Sequence, residues 1–286
     1  MFSLAICVLL INRSPKNYLS HQVITGNKME HISVVIITLN EERNIGATLD
    51  AALQVADEII VADNGSTDHT QQICVSKGVS FFTLPWRGFG ANRNAAAAKA
   101  IHDHILVLDA DEVLDENLIK SIRLLKQQGF GPKIYSLQRR NFYYDKFINH
   151  GMESADIKPR LYHKGTAQWN DNLVHEELKY PAGYTLAKLD GYLLHYTYRT
   201  IAEHSAKTDK YSTLAARQLF ESGKNEPGFI KLVLSPAFTF AYAYILKAGF
   251  LDGWHGWILA KQHANAVLLK YAKLKILYYE KGKPVN

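Results

Sequence analysis

The pair of side chains in this sequence that most clearly suggests chemistry is Asp109 and Asp111, two carboxylates separated by one residue. They follow the apolar run 105–108, which has the composition of a buried strand. Side chains two residues apart in an extended chain point the same way, so the two charges repel unless a cation neutralises them. Such oxygen ligands suit a hard divalent ion that also bridges substrate phosphates. The alternative is a solvated loop whose acids cap the next helix.

A second polar segment begins at Asp63, directly after the short apolar run 58–62. Gly65 permits a tight turn, and Ser66 or Asp68 can cap the following helix without any ligand. Capping does not account for Asp63, whose carboxylate could accept hydrogen bonds from the imide of a nucleobase. Asp63 is therefore a candidate nucleotide contact.

The elements that must position these side chains alternate along the first half of the chain. Strands are predicted at 32–38, 58–62, 79–84 and 105–108, and helices at 42–53, 68–77, 90–101 and 116–127. This alternation predicts an α/β fold with a mostly parallel sheet covered by helices. Ligands bind at the carboxyl ends of the strands in such sheets, which is where both polar segments lie. Short strands are predicted from about residue 134 to Tyr198, and a helix over 200–225.

Composition and missing motifs argue against several classes of protein. The chain has 286 residues, of which 47% are hydrophobic and 21% charged, so it is neither disordered nor fibrous. Its two cysteines are too few for a disulfide framework or a zinc site. It lacks both the Gly-x-Gly-x-x-Gly fingerprint and the P-loop pattern, which disfavours a dinucleotide oxidoreductase and a P-loop enzyme. No nucleic-acid partner is predicted, because the net positive charge lies entirely in the C-terminal segment, where the lysines alternate with apolar residues.

The first residues of the chain are predicted to be an extension rather than part of the fold. The apolar run 2–11 is too short to span a bilayer and lacks the flanking features of a signal peptide. Met29 precedes the first predicted strand, so we expect it to be the natural start and residues 1–28 to be an upstream extension. A short membrane anchor is the competing interpretation.

The C-terminal part combines basic charge with an apolar surface. Residues 227–286 carry eight lysines, one aspartate and one glutamate, a net charge of +6 that equals that of the whole chain. The uncharged run 232–246 is expected to be interrupted at Pro236, to fall short of a membrane-spanning helix, and to suit a buried or interfacial segment. A helix is predicted beyond residue 256, with its apolar stripe at Ala264, Val267, Tyr271, Leu274 and Tyr278. This pattern predicts contact with a membrane surface, and the alternative is a helical hairpin packed on the core.

Three motifs in order resemble glycosyltransferase family 2: SVVIITLNE at 33–41, ADNGSTD at 62–68 and LDADE at 108–112. The resemblance covers about residues 31–200 and implies a GT-A fold, a nucleotide-sugar donor, and Mg²⁺ or Mn²⁺. The segments 85–94, 174–176 and 249–253 are similar to bacterial enzymes that add β-glucose to the heptose of the lipopolysaccharide inner core. Many relatives have a second aspartate where this chain has Asn64.

The resemblance also implies roles for individual residues. It implies that the uridine is held by Thr38, Asn40, Glu41 and Asp63. It implies that Asp109 meets the ribose or the metal and that Asp111 ligates the metal, whose charge can neutralise the departing diphosphate. Arg93, near the start of a predicted helix, could contact phosphate together with that helix's N-terminus, or be an ordinary surface arginine. His195 could be a third contact to the metal or the diphosphate, or a structural histidine beside aromatic residues.

An inverting sugar transfer needs a base for the acceptor hydroxyl, and the candidates lie beyond residue 150. Glu176 is the predicted base because the related enzymes carry His-Glu at this place, and Asp171 and Glu177 are the alternatives. His175 could orient Glu176 or touch phosphate. Trp86 could stack on the acceptor sugar or serve as a packing anchor.

Taken together, these features predict three segments: an extension at 1–28, a GT-A domain at 29–200 and a helical basic extension at 201–286. The predicted function is inverting, metal-dependent transfer of a sugar, with glucose as first choice, from UDP-sugar to a heptose of lipid A-core. The expected location is the cytoplasmic face of the inner membrane, bound peripherally.

Other functions remain open from the sequence. A family 2 transferase acting on a polyprenyl phosphate or a capsule acceptor fits nearly as well, and an inactive membrane-peripheral scaffold is the non-enzymatic alternative. A sugar-nucleotide nucleotidyltransferase is disfavoured, because residues 40–43 (NEER) stand where such enzymes carry a glycine-rich loop.

Overall fold

The computed structural model describes residues 29–154, 156–170 and 176–282. The predicted extension at 1–28 lies outside the described residues, as do Asp171 and His175. The described residues form an α/β sheet domain followed by a group of long helices.

The strands run as follows: β1 Ile32–Thr38, β2 Glu58–Asp63, β3 Ser80–Thr83, β4 His104–Asp109, β5 Glu112–Leu114, β6 Lys133–Tyr143, β7 Lys146–Phe147, β8 Asp156–His163, β9 Gln168–Trp169, β10 Leu178–Lys179 and β11 Thr185–Tyr198. The helices are α1 Ile45–Ala52, α2 Thr70–Ser76, α3 Phe89–Ala97, α4 Glu116–Gln128, α5 Ile201–Glu221, α6 Phe229–Ala241 and α7 Trp254–Lys281. A π-helical turn at Tyr242–Leu246 continues α6, and a 3₁₀ turn at Gly249–Asp252 precedes α7.

One mixed sheet organises the domain, with strand order β3-β2-β1-β4-β8-β6-β11-β5 and β7 paired with β6. The first four strands in this order are parallel to one another. β8 is antiparallel to β4 and β6, β6 and β11 are parallel, and β5 is antiparallel to β11. The α/β, GT-A-like architecture expected from the sequence is confirmed, and the carboxyl ends of β1, β2 and β4 meet at one edge.

The apolar composition of the central strands follows from burial on both faces of the sheet. All seven residues of β1 are buried, and successive side chains enter different cores because they alternate across the strand. Ile36 packs with residues of α1 and α4, whereas Ile37 packs with residues of α3. Such a strand can sit only in the middle of a covered sheet, which fixes the position of the polar residues that follow it.

The expectation that Pro236 interrupts the C-terminal apolar segment is wrong. α6 runs through Pro236, which removes one backbone donor but keeps a φ compatible with helix. The hydroxyl of Thr239 donates to the Ser235 carbonyl oxygen at 2.9 Å, so this turn keeps a side-chain hydrogen bond. The helical segment Phe229–Leu246 is 18 residues long, three more than the uncharged run 232–246. By length and composition this segment could cross a membrane, and only 6% of it is buried.

The helical extension is fixed to the sheet domain at the turn before α7. The buried Asp252 carboxylate accepts hydrogen bonds from the backbone N–H groups of Asn149 and His150, at 3.0 and 2.7 Å. Gly256 permits a close crossing here, because a Cβ at this position would lie 1.8 Å from the Gly249 carbonyl oxygen. From this point α7 packs along α5 and α6, with Leu274 of the predicted stripe buried.

Candidate active site

Asp109, the last residue of β4, is held between two arginines. Its carboxylate oxygens accept hydrogen bonds from Arg93 Nη2 at 2.8 Å and from Arg160 Nη2 at 3.1 Å. Burial opposes ionisation of Asp109, but the charges of Arg93 and Arg160 outweigh it and hold its pKa well below the usual value. The two arginines therefore favour the charged form of Asp109, and both of its oxygens already have partners.

Arg93 also binds Glu176, the predicted base. Its Nη1 donates to Glu176 Oε1 at 2.7 Å, so one guanidinium bridges Glu176 and Asp109. Arg93 lies in the second turn of α3, is only 3% exposed, and packs over the ring of Trp169. The structure thus gives Arg93 two carboxylate partners, and its predicted contact with phosphate stays a prediction.

Glu112 is the most deeply buried carboxylate of this cluster. It is completely buried, its Oε2 accepts from the backbone N–H of Asp109 at 2.9 Å, and its Oε1 accepts from Arg160 at 2.6 Å. Burial raises the pKa of Glu112, although the charge of Arg160 works in the opposite direction. Glu112 thereby fixes both the backbone and the arginine that position Asp109.

Asp111 meets His195 on the other side of the turn that follows β4. Asp111 Oδ2 lies 3.3 Å from His195 Nε2, and both side chains are mostly buried. Burial disfavours the charged imidazole, but Asp111 outweighs this and raises the pKa of His195. The pairing follows from the sheet, because β11 places His195 opposite Glu112 in β5 and the Tyr196 N–H donates to the Asp111 carbonyl oxygen.

Thr38 and Asp63 end the neighbouring strands β1 and β2, where they are paired in register. The Asp63 carboxylate accepts from the backbone N–H groups of Gly65 and Ser66, at 2.9 and 2.8 Å, so it organises its own loop. The Thr38 hydroxyl is buried and has no hydrogen-bond partner among the described residues. An unsatisfied buried hydroxyl at this edge is suited to a polar ligand. The predicted contact of Asp63 with the base stays a prediction.

Asn40 and Glu41 connect the β1 loop to the β2 loop. Asn40 has a positive φ of 54° and accepts from the Thr67 N–H at 2.8 Å. The Glu41 N–H donates to Thr70 Oγ1 at 2.9 Å, and its carboxylate accepts from Asn44 Nδ2 at 2.7 Å. Burial raises the pKa of Glu41, partly offset by that bond to Asn44. The two loops therefore form one rigid rim.

The donor atoms around Asp111 fit a divalent cation with open coordination positions. A carboxylate oxygen is a common ligand of both Mg²⁺ and Mn²⁺, and imidazole nitrogen is a ligand that transition metals accept. Phosphate oxygens of a bound substrate commonly fill the remaining coordination positions. No group of three or more His, Cys, Asp or Glu side chains in the described ranges is arranged to hold a metal. Asp109, predicted as a further ligand, has its oxygens on arginines instead. Asp111 and His195 are therefore the residues that would hold the ion.

The alternative base Glu177 and the candidate contact to the acceptor sugar, Trp86, lie outside the cluster around Arg93. Glu177 is exposed and forms an ion pair with Lys179 at 2.5 Å, away from the Arg93 cluster. Asp171 and His175 fall in a part of the chain that the structure does not describe. Trp86 is half-exposed and packs edge-on against Phe89 at the start of α3, so it is both anchored and accessible.

Sequence reasoning missed Arg160 and Asn141. Arg160 comes from β8, whose antiparallel pairing with β4 brings it to Asp109 from 51 residues away. Asn141 comes from β6 and lies beside His195, 54 residues away. Near each of these two residues, the sequence shows only a polar residue within a predicted strand. Polar residues occur at many positions in edge strands, so this pattern does not single out Arg160 or Asn141.

The solved structures to which the chain shows similarity are distant. The S. aureus TarS 1-349 chain, known from a crystal structure, is 14% identical in sequence, with a TM-score of 0.42; the match covers 89% of this chain and 93% of that one. Glucosyl-3-phosphoglycerate synthase from Mycobacterium tuberculosis, solved with Mn²⁺ and UDP-glucose, is 25% identical over 40% of this chain and 44% of its own, with a TM-score of 0.32.

Sequence relatives cover nearly the whole chain. The lipopolysaccharide core biosynthesis glycosyltransferase LpsC of Rhizobium meliloti is 30% identical over 263 residues, 88% of this chain and 95% of the relative. The glycosyltransferase RP128 of Rickettsia prowazekii is 28% identical over 266 residues, 87% and 88% of the two chains. The profile of Glycosyl transferase family 2 matches residues 33–192, more than half of the sequence. With the strand-end acids and the sheet already described, this match places the chain among the family 2 glycosyltransferases.

Proposed function

We propose that this glycosyltransferase moves a sugar, glucose by first choice, from UDP-sugar to a heptose of the lipopolysaccharide inner core, with inversion at the anomeric carbon and with Mg²⁺ or Mn²⁺. The observation that carries the proposal is the bridge from Glu176 through Arg93 to Asp109. It joins a candidate base to the strand edge at which family 2 enzymes are expected to hold the donor. LpsC, the relative named for lipopolysaccharide core biosynthesis, supports the choice of acceptor.

The donor would lie along the carboxyl ends of β1, β2 and β4. The Thr38 hydroxyl, without a partner among the described residues, is available to the uridine, and the rim of Asn40 and Asp63 would border the bound base. A cation held by Asp111 and His195 would supply positive charge for the departing diphosphate. Asp109 keeps Arg93 and Arg160 in place behind this edge.

Glu176 would take the proton from the acceptor hydroxyl as its oxygen attacks the anomeric carbon. The new C–O bond forms on the face opposite the breaking bond to UDP, so the configuration inverts. Arg93 orients the Glu176 carboxylate through Oε1 and leaves Oε2 without a hydrogen-bond partner among the described residues. The carboxylate is thereby fixed in place with one oxygen available to the acceptor hydroxyl, which is the geometry that a general base needs.

The membrane is the proposed location of the acceptor and therefore of the enzyme, on its cytoplasmic face. α6 and the turn after it expose Phe229, Phe238 and Leu246, and α7 exposes Trp254 and Trp257 near its start. Lysines lie in the same part of the chain: Lys231 on α6, Lys247 directly after the π-helical turn and Lys261 on α7. An apolar face bordered by lysines and tryptophans is suited to the interface of an anionic bilayer.

The test is transfer of labelled sugar from a panel of UDP-sugars to heptose-terminated lipopolysaccharide core, followed by NMR of the product. The proposal expects a β-linked hexose on heptose from an α-linked donor. Transfer to a polyprenyl phosphate but not to heptose would show that the proposed acceptor is wrong. A product that keeps the α configuration would remove the role of Glu176 as base.

A further inference from the structure

His195 has a second partner on the side of its ring that faces away from Asp111. Its Nδ1 lies 2.7 Å from Asn141 Oδ1, and the two residues are opposite each other in the pairing of β6 with β11. Asn141 is 5% exposed, so this contact is shielded from water. None of the motifs that identify the family includes Asn141.

The amide of Asn141 can be oriented in one way only. Its Nδ2 donates to the Glu153 backbone oxygen at 3.0 Å and to Glu153 Oε2 at 3.1 Å. Carbonyl and carboxylate oxygens accept and do not donate, so the NH₂ group must face Glu153. The amide oxygen must then face His195, and an oxygen at this place can only accept a hydrogen from Nδ1.

Glu153 is itself held from the helical extension. His263 of α7 places its Nε2 at 3.2 Å from Glu153 Oε1, and this contact lowers the pKa of Glu153 despite its burial. A continuous set of contacts thus runs from α7 through Glu153 and Asn141 to His195. The C-terminal helices therefore support the sheet side of the candidate metal site.

We propose that Asn141 is the positioning residue that fixes His195 with its hydrogen on Nδ1 and so presents the Nε2 lone pair to a divalent cation beside Asp111. This inference rests on the metal site of the proposed function. A histidine that binds a metal through one nitrogen usually donates from the other to a fixed acceptor, and loss of that acceptor typically costs 10–100-fold in metal affinity.

Thr197 is the alternative partner, because its hydroxyl lies 2.8 Å from the same Nδ1. A hydroxyl can accept or donate and rotates freely, so it does not select one tautomer. The Thr197 hydroxyl also lies 3.4 Å from the His195 carbonyl oxygen, where it can donate while Nδ1–H points to Asn141. Thr197→Val is therefore a matched control for the loss of a polar neighbour of the same atom.

The first experiment measures Mn²⁺ binding by electron paramagnetic resonance, with UDP present, in the full chain. We expect Asn141→Leu and the smaller Asn141→Ser to weaken Mn²⁺ binding at least tenfold, and Thr197→Val to change it less than threefold. Thermal melts check that each variant is folded. Wild-type affinity in folded Asn141→Ser, or a larger loss in Thr197→Val, would overturn the proposal.

Asp111→Ala separates this inference from the proposed function. If the wild type binds Mn²⁺ no better than Asp111→Ala, the metal site itself is wrong. If Asp111→Ala loses binding and the Asn141 variants do not, the positioning role alone fails.

A second experiment reads the tautomer directly, by ¹⁵N NMR of the Mg²⁺–UDP complex with the His195 signals assigned by their loss in His195→Gln. We expect the wild type to be protonated at Nδ1 and unprotonated at Nε2. The opposite tautomer in the wild type would contradict the proposal.

Discussion

Arg93 Nη1 lies 2.7 Å from Glu176 Oε1, although 83 residues separate the two in the sequence. The same guanidinium holds Asp109 at 2.8 Å, so the end of β4 and the segment before β10 share one buried cation. This relationship makes the position of the candidate base depend on the donor side of the site. A disturbance of Arg93 should therefore affect both stability and transfer.

Arg93→Leu should destabilise the protein by about 3 kcal/mol, because it leaves Asp109 with one arginine and Glu176 with none. Urea unfolding followed by circular dichroism measures the change. Arg43→Ala is the matched control, since Arg43 forms an exposed pair with Glu203 and its loss should cost no more than about 1 kcal/mol. Equal losses of unfolding free energy in the two variants would mean that the Arg93 bridge stabilises the fold no more than an exposed ion pair does.

Glu176→Gln should lower kcat by about 10²–10⁴-fold while leaving the binding of UDP within a few-fold. Glutamine keeps an oxygen that accepts from Arg93, so the fold and the bridge survive, but the side chain no longer takes a proton. Steady-state transfer assays and UDP titration calorimetry check the two expectations. Glu177→Gln is the control and should retain near-wild-type kcat, because Glu177 is paired with Lys179 at the surface. A comparable loss in both variants would reject Glu176 as the base.

Phe238→Glu should reduce binding to vesicles that contain anionic lipid by at least tenfold, because it places a charge on the exposed apolar face of α6. Co-sedimentation with phosphatidylglycerol vesicles measures the binding. Leu124→Glu changes an equally apolar exposed side chain on α4 and should leave vesicle binding intact. Unchanged vesicle binding in Phe238→Glu would remove α6 from the membrane contact.

His204, in the first turn of α5, should make the protein less stable in acid. The ring is buried against Tyr198, and burial lowers the pKa of His204 to about 4, although Glu153 opposes this. The unfolded chain then binds the proton first, so this stability is complete above about pH 6.5 and is lost as the pH falls toward 4.

The loss assigned to His204 is roughly 3 kcal/mol over that pH range. His204→Phe cannot take up the proton, so its unfolding free energy should fall less between pH 7 and 4.5 than that of the wild type, by chemical denaturation. Parallel pH profiles of the two proteins would contradict the assignment.

Much of the sheet could be predicted from the sequence, because its central strands are apolar on both faces. The strand predicted at 32–38 is β1 as observed, and the strand at 105–108 is extended by one residue at each end. The first helix starts at Ile45 rather than at 42, because the Asn44 and Ile45 N–H groups fold back onto the Glu41 carbonyl oxygen. Local composition does not reveal such a turn.

The site was less predictable than the sheet, because its charges meet through pairing between distant strands. Asp109 and Asp111 could be found by their spacing, but nothing near Arg160 in the sequence indicates that β8 brings it to Asp109. Pro236 illustrates the opposite error: a local rule predicted a break, but α6 runs through Pro236 and packs beside α7.

We propose above all that Asp111 and His195 bring a divalent cation to the donor diphosphate during sugar transfer. The most direct test is acceptor-dependent release of UDP from UDP-sugar, with and without EDTA, by the wild type and by Asp111→Ala. We expect release that EDTA abolishes and Mn²⁺ or Mg²⁺ restores, and a loss of at least about 10³-fold in folded Asp111→Ala. Near-wild-type release by Asp111→Ala, or release that is indifferent to EDTA, would contradict it.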